Sequence, residues 1–257
     1  MREFFGFGGY TRAPEGYFSW QHLTFVSCLM LVMVLSALLL GKRNAPRSEK
    51  EKNRVLVAVA IAMDAIELAR IIIVCCRLHD PMHWLYELPL FMCSIHFIVL
   101  PLAAFSKARL RAASLDFVVI FGILAATFGT YFAGQNYGAY PVLSLDNVAS
   151  GITHTMSGFA SLYILFSGLA SMQKKNIPIT FGIITGGCVL AYIANAIVGY
   201  NYMFLRRGDG TPYDIFLNLV GGNQIIYPIL VLLMFFGYIA LFYGAYFFIR
   251  SRKKTKA

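Results

Sequence analysis

Seven apolar stretches, each about 20 residues long and so able to cross a bilayer as a helix, punctuate the chain. They lie near Gln21–Leu40, Val55–Cys75, Trp84–Phe105, Ala112–Phe132, Ile152–Met172, Ile177–Tyr200 and Ile225–Ile249, with short basic clusters between them. This alternation predicts an all-α protein: a polytopic seven-helix transmembrane bundle forming a single domain over residues 1–257. Composition agrees. Of 257 residues, 58% are hydrophobic and 13% charged, the latter about half the charged fraction of an ordinary soluble domain. With a mean hydropathy of +0.66, a soluble fold could not cover its own surface. Five cysteines and 15% aromatic residues also exclude disulfide scaffolds and disordered chains. The polar, aromatic leader before the first span has neither a basic start nor a small-residue cleavage site, so it does not read as a cleaved signal peptide.

The basic residues set the expected orientation. One side holds Lys42, Arg43, Arg47, Lys50, Lys52, Arg54, Lys107, Arg109, Arg111, Lys174, Lys175, Arg250, Arg252, Lys253, Lys254 and Lys256. The other holds Arg2, Arg12, Arg77, Arg206 and Arg207, while Arg70 lies within the second span. The richer side faces the cytoplasm, which places the N-terminus outside and the C-terminus inside, in a multi-pass protein of the cell membrane. The net charge of +10 then reads as topology and contact with anionic lipid at the cytoplasmic face, with no nucleic acid as partner. The two long outer segments, Ala133–Gly151 and Asn201–Gln224, are of a length usually tied to function. A faint echo, Gly134-Gln135-Asn136-Tyr137 against Gly199-Tyr200-Asn201-Tyr202, hints at an internal repeat.

Polar groups inside a membrane are costly and need a partner or a task. Asp64, Glu67 and Arg70 recur at three-residue spacing in the second span. Glu67 and Arg70 can pair on one helix face, giving a neutralised stripe or a proton or ion relay. The third span carries Glu87, Pro89, Cys93, His96 and Pro101. Read as a helix, it puts Cys93 and His96 on one face, with Cys93 roughly 13 Å below the outer edge. His154, at the start of the fifth span, falls within about 5–10 Å of the same boundary. Gln135, Asn136, Asn195, Asn201 and Tyr202 reach that level too, so the polar inventory converges in the outer half of the bundle.

A thiol beside an imidazole can act as a nucleophile, with Asn195, Asn201 or Asp214 the nearest candidates to orient the ring. A lone buried cysteine is equally a small packing residue, which is the reading for Cys28, Cys75, Cys76 and Cys188. A zinc site from Cys93, His96 and His154 is the other chemistry open to these residues. No compact metal motif accompanies them, and Pro81 disrupts the helix that would align His79 with His83. The expectation is therefore no metal and no cofactor.

Leu88-Pro89-Leu90-Phe91-Met92-Cys93-Ser94-Ile95, His154-Thr155-Met156-Ser157, Asn195 and Asn201-Tyr202-Met203-Phe204-Leu205 resemble the YwaF-type integral membrane proteins, whose eukaryotic relative is transmembrane protein 164. His22-Leu23, Glu67 and Tyr227-Pro228 fit as well, and the resemblance runs from about Phe18 to Phe248. It implies a lipid acyltransferase acting in phospholipid remodelling through a membrane-embedded cysteine and histidine, here Cys93 and His154. Glu87, His96, Asn195, Asn201 and Tyr202 then form the substrate-binding or orienting set. The loop after Tyr202 departs from the family by an expansion carrying Arg206, Arg207, Gly208, Asp209 and Gly210, which implies a different substrate or headgroup choice. An acyl chain arriving laterally reaches a nucleophile below the headgroups where water is scarce, so a membrane phospholipid donor and a lysophospholipid acceptor are expected. The alternative is a proton- or ion-coupled transporter built on Asp64, Glu67 and Arg70. A receptor or scaffold without chemistry is the third reading, and the short cytoplasmic loops offer it little surface.

Overall fold

The computed structural model describes residues 2–255; Met1, Lys256 and Ala257, and the side chains of Arg2, Lys253, Lys254 and Thr255, lie outside the described set. The described chain is all-helical and divides into two compact units. The first comprises Met1–Pro89 and His96–Ser171, the second Leu90–Ile95 and Met172–Ala257.

In the first unit a short turn of helix, α1 (Arg2–Phe5), opens the leader, followed by α2 (Trp20–Asn44), α3 (Glu49–Leu78), α4 (His96–Phe105), α5 (Ala108–Phe128), α6 (Gly134–Ala139) and α7 (Leu145–Ser167). Local sequence marks the ends. Ser19 and Ser144 accept hydrogen bonds from the backbone N–H groups of His22 and Asn147, and Ser48 with Glu51 forms a reciprocal capping box. His79 ends α3 in the left-handed region at φ 53°, two residues before Pro81, and Gly168 ends α7 in the same way.

The core of this unit is α7, packed between α2 and α5. Small residues make that possible. A Cβ on Gly158 would meet Met33 Sδ and Ala126 Cβ at 2.4 and 2.6 Å, and one on Gly122 of α5 would meet the Ser157 carbonyl oxygen at 2.5 Å. Close backbone approach replaces the hydrophobic drive that lipid removes. The hydroxyls of Thr153, Thr155 and Ser157 bond back to carbonyls one turn earlier, and Ser161 donates across to the Val119 carbonyl at 2.8 Å. Residues 113–122 of α5 are buried without interruption, so it is enclosed rather than amphipathic.

The second unit contains α8 (Ile177–Val198), α9 (Tyr213–Leu219) and α10 (Ile226–Thr255), with 3-10 turns at Lys174–Asn176 and Tyr202–Phe204. Pro178 starts α8, and Gly199, at φ 76°, ends it. The Gly134 segment instead opens α6, so the two four-residue echoes occupy different structural positions and do not mark a repeat.

Among the described residues four helices are long and apolar enough to cross a membrane: Trp20–Asn44, Ala108–Phe128, Lys174–Val198 and Ile226–Arg252. The protein is a multi-pass membrane protein. The stretch read as a third span, Trp84–Phe105, is not one helix. It forms a 3-10 turn at His83–Tyr86, an irregular passage, and then α4 from His96. Pro89 removes a backbone donor and restricts Leu88, and Ser94 Oγ accepts the Phe91 N–H at 2.9 Å to start the chain again. The shared helix face expected for Cys93 and His96 therefore does not exist.

Candidate functional site

The chemistry-bearing residues fall into both units. In the first, His154 sits one turn after Ser150 on α7. Its Nδ1 lies 2.7 Å from the Ser150 carbonyl oxygen and 3.3 Å from Ser150 Oγ. A carbonyl only accepts, so Nδ1 of the neutral ring carries the proton and Nε2 carries the lone pair. Asn136 Nδ2 extends the chain by donating to Ser150 Oγ at 3.5 Å. The ring lies against Gly129, where any Cβ would stand 1.7 Å from His154 Cδ2. Next to it, the Thr130 carbonyl accepts from His22 Nε2 at 3.1 Å, while His22 Nδ1 accepts the Phe18 N–H at 3.2 Å. Both nitrogens of His22 are thus engaged, and its ring centre lies 3.9 Å from that of Tyr137, tilted by 34°. Ser150 and Gly129 escape a reading by residue type. Helical spacing to His154 signals Ser150, whereas nothing local distinguishes Gly129 from other glycines.

Arg70 answers the expected stripe in part. It pairs in fork geometry with Glu67, at 2.7 and 3.1 Å, and reaches Glu87 at 2.5 Å. Glu87 also faces His83 at 3.6 Å, so this candidate substrate ligand is held in an ion network. Two turns along α3, Arg77 holds Asp146 at 2.6 and 3.0 Å, and Tyr10 donates to the same carboxylate at 2.7 Å. Burial opposes ionisation of Asp146, but the bonds from Arg77 and Tyr10 outweigh it and keep the carboxyl below its usual range. Burial, then Asp146, pushes Tyr10 up to about 12. Asp64 is outside this network, and its Oδ1 is buried with no hydrogen-bond partner among the described residues. His96 is buried beside the Phe117 ring at 5.9 Å.

The second unit holds Cys93, part-buried, in the irregular passage before α4. Two residues earlier, Phe91 packs against Tyr200, Tyr202 and Phe204 with ring separations of 6.1, 5.3 and 5.9 Å. The loop is organised by two amides. Asn195 Oδ1 accepts the Tyr202 N–H at 2.6 Å and its Nδ2 donates to the Tyr202 carbonyl at 3.0 Å. Asn201 accepts from Arg206 N at 2.9 Å and donates to the Arg207 carbonyl and to Asp209 at 2.8 and 2.7 Å. These bonds hold Met203 and Phe204 at φ 52° and 55°, a left-handed conformation that costs about 1–2 kcal/mol per residue. Asn195, Asn201 and Tyr202 thus build the loop, and the amides are committed to its backbone.

Two tyrosines beyond the sequence-based set occupy this unit. Tyr213 of α9 stacks on Phe204 at 5.0 Å and 13°. Burial, then the charge of nearby Cys93, raises its hydroxyl above the usual phenol range, with Tyr227 adding to it. The Tyr227 hydroxyl is buried with no hydrogen-bond partner among the described residues. Among the described residues no three His, Cys, Asp or Glu side chains gather as a metal-binding set. No curated protein and no solved structure matches the chain. The TMEM164 family model matches residues 17–246, and the chain belongs to that family.

Proposed function

We propose that this protein is a membrane-embedded lipid acyltransferase, with Cys93 as nucleophile and His154 as general base and acid. The observation that carries the reading is the Ser150 carbonyl on His154 Nδ1, which leaves Nε2 as the basic nitrogen. In the first step Nε2 takes the Cys93 thiol proton as sulfur attacks the ester carbonyl carbon of a phospholipid. The tetrahedral adduct collapses, the carbon–oxygen bond breaks, and the imidazolium protonates the departing lysophospholipid oxygen. A second lysophospholipid hydroxyl then attacks the thioester, His154 takes its proton, and the thiol leaves reprotonated. No cofactor enters this balance. With Asn195 and Asn201 occupied by the loop, the Tyr227 hydroxyl is the donor to the developing oxyanion. The same reading retains seven spans in one transmembrane domain, the N-terminus outside, and anionic lipid at the basic face.

The test uses purified full-length protein with a phospholipid donor and a lysophospholipid acceptor. Mass spectrometry should find the acyl group on Cys93, with the adduct and transfer both lost in Cys93→Ala and His154→Ala. Full transfer by Cys93→Ala would sink the proposal.

One observation favours a second reading. Asp64, a carboxyl within α3 whose buried oxygen has no hydrogen-bond partner among the described residues, suits a proton-coupling group. A transporter would then be centred on Asp64 rather than on the paired Glu67 and Arg70. Proton-driven uptake into proteoliposomes, lost in Asp64→Asn and intact in Cys93→Ala, would decide for transport.

A further inference from the structure

A cavity of about 240 Å³ opens where α2 ends and α3 begins, lined by Leu40, Arg43, Asn44, Arg47, Glu51, Arg54 and Val55. Three guanidinium groups therefore face one carboxylate. That carboxylate is already spent: Glu51 accepts from the Ser48 N–H and hydroxyl at 3.1 and 2.8 Å and pairs with Arg47 at 3.4 Å. Arg43 and Arg54 make no ion pair among the described residues, so the cavity carries uncompensated positive charge on two forked donors. The rear wall is rigid, since buried Asn44 donates to the Tyr163 hydroxyl at 3.0 Å and that hydroxyl donates to the Lys52 carbonyl at 3.2 Å.

We propose that this cavity is a binding site for a phosphate ester, independent of the acyl-transfer reading. Arginine forks match the planar oxygen pairs of a phosphate. The volume is below the roughly 300–1,000 Å³ of pockets for drug-sized ligands, which suits a headgroup phosphate with its glycerol rather than a nucleotide. Leu40 and Val55 on the same lining provide apolar surface for the start of an attached chain. The shared chemistry is the phosphate ester, and its source is either a lipid headgroup or a soluble phosphate.

Full-length protein in detergent, titrated with phosphatidylglycerol and separately with glycerol 3-phosphate, distinguishes them by native mass spectrometry. Arg43→Gln with Arg54→Gln should weaken phosphatidylglycerol binding about tenfold or more. Lys42→Gln with Lys50→Gln removes the same charge outside the cavity and should change it less than about threefold. Arginine-dependent binding of phosphatidylglycerol alone identifies a lipid headgroup; the same dependence with glycerol 3-phosphate identifies a soluble ester. Equal losses in the two double variants, at unchanged melting temperature, would reduce the effect to general surface charge and overturn the site.

Discussion

At the scale of single residues, His154 is defined by what surrounds it. Its ring fills the space that a side chain at position 129 would need, so Gly129→Ala sets a Cβ 1.7 Å from Cδ2 and must turn the imidazole. Overpacking of this kind costs about 1–3 kcal/mol. If the acyl-transfer reading holds, transfer should fall toward that of His154→Ala while the protein still folds. A Gly129→Ala enzyme with normal kcat would show that the ring orientation is irrelevant. Tyr227 provides the opposite signature. Its hydroxyl is buried with no hydrogen-bond partner among the described residues, so Tyr227→Phe removes an unsatisfied polar group and should leave the melting temperature equal or higher. An oxyanion donor lost at that position should nonetheless reduce kcat by about 10²–10³-fold. Unchanged kcat would remove Tyr227 from the reaction. Residue type, depth and resemblance single out Cys93 and His154 for the proposal, and depth alone also offers Asn195 and Asn201 as orienting groups. The structure uses those amides for the strained Met203–Phe204 turn, because buried backbone groups claim side-chain partners before any substrate arrives. Such local demand has no signature in spacing.

At the scale of elements, helix-length apolar runs mark α2, α5, α8 and α10 well, since length and hydropathy are the quantities that a bilayer selects. They fail at Trp84–Phe105. Hydropathy is blind to Pro89, which stops the helix and leaves Cys93 in irregular chain. The leader is a second element that hydropathy passes over. Tyr10 and the Phe5 carbonyl bond to Arg77, the Val142 N–H donates to Glu15 at 2.7 Å, and Tyr10 donates to Asp146, so residues before α2 are tied to α3 and α7. The titration of this tie has two sides. Asp146 is held below its ordinary value, so its contribution is present above the unfolded pKa and fades as pH falls through the folded one. Tyr10 is raised to about 12, so its contribution is complete below about 10, the ordinary phenol value, and fades as pH rises through about 12. Tyr10→Phe should therefore destabilise the protein by about 1.5–3 kcal/mol at neutral pH, the range for a hydrogen bond to a charged group. The deficit should shrink in strong alkali, where wild type loses the same bond. Melting curves of both proteins from pH 7 to 12 check this, and a deficit constant with pH would assign it to ring packing.

At the scale of the whole molecule, the proposed orientation rests on the segregation of charge along the chain. The proposed seven-span topology assigns Lys42 to Arg54, Lys107 to Arg111, Lys174 with Lys175, and the basic residues from Arg250 onward to connections on one side. It assigns the leader, the Arg77 region and the Arg206 loop to the alternate connections. Transfer of Lys or Arg across the bilayer during insertion is what the membrane resists, and clusters at every second connection reinforce one another, so no single loop decides the outcome. This topology requires that the short α4, with the irregular passage before it, returns the chain to the basic side as a full helix would. A fluorescent protein fused after Ala257 should then fold and emit in the cytoplasm. A single cysteine at Gly9 should react with a membrane-impermeant maleimide in intact cells, and one at Lys174 should react only after permeabilisation, in a background with Cys28, Cys75, Cys76, Cys93 and Cys188 replaced. Labelling of both positions in intact cells would break the alternation at α4, since that is the connection where the chain could fail to cross. It would also move Lys174 and the basic tail to the outer face, and with them the leaflet from which a lipid donor could reach Cys93.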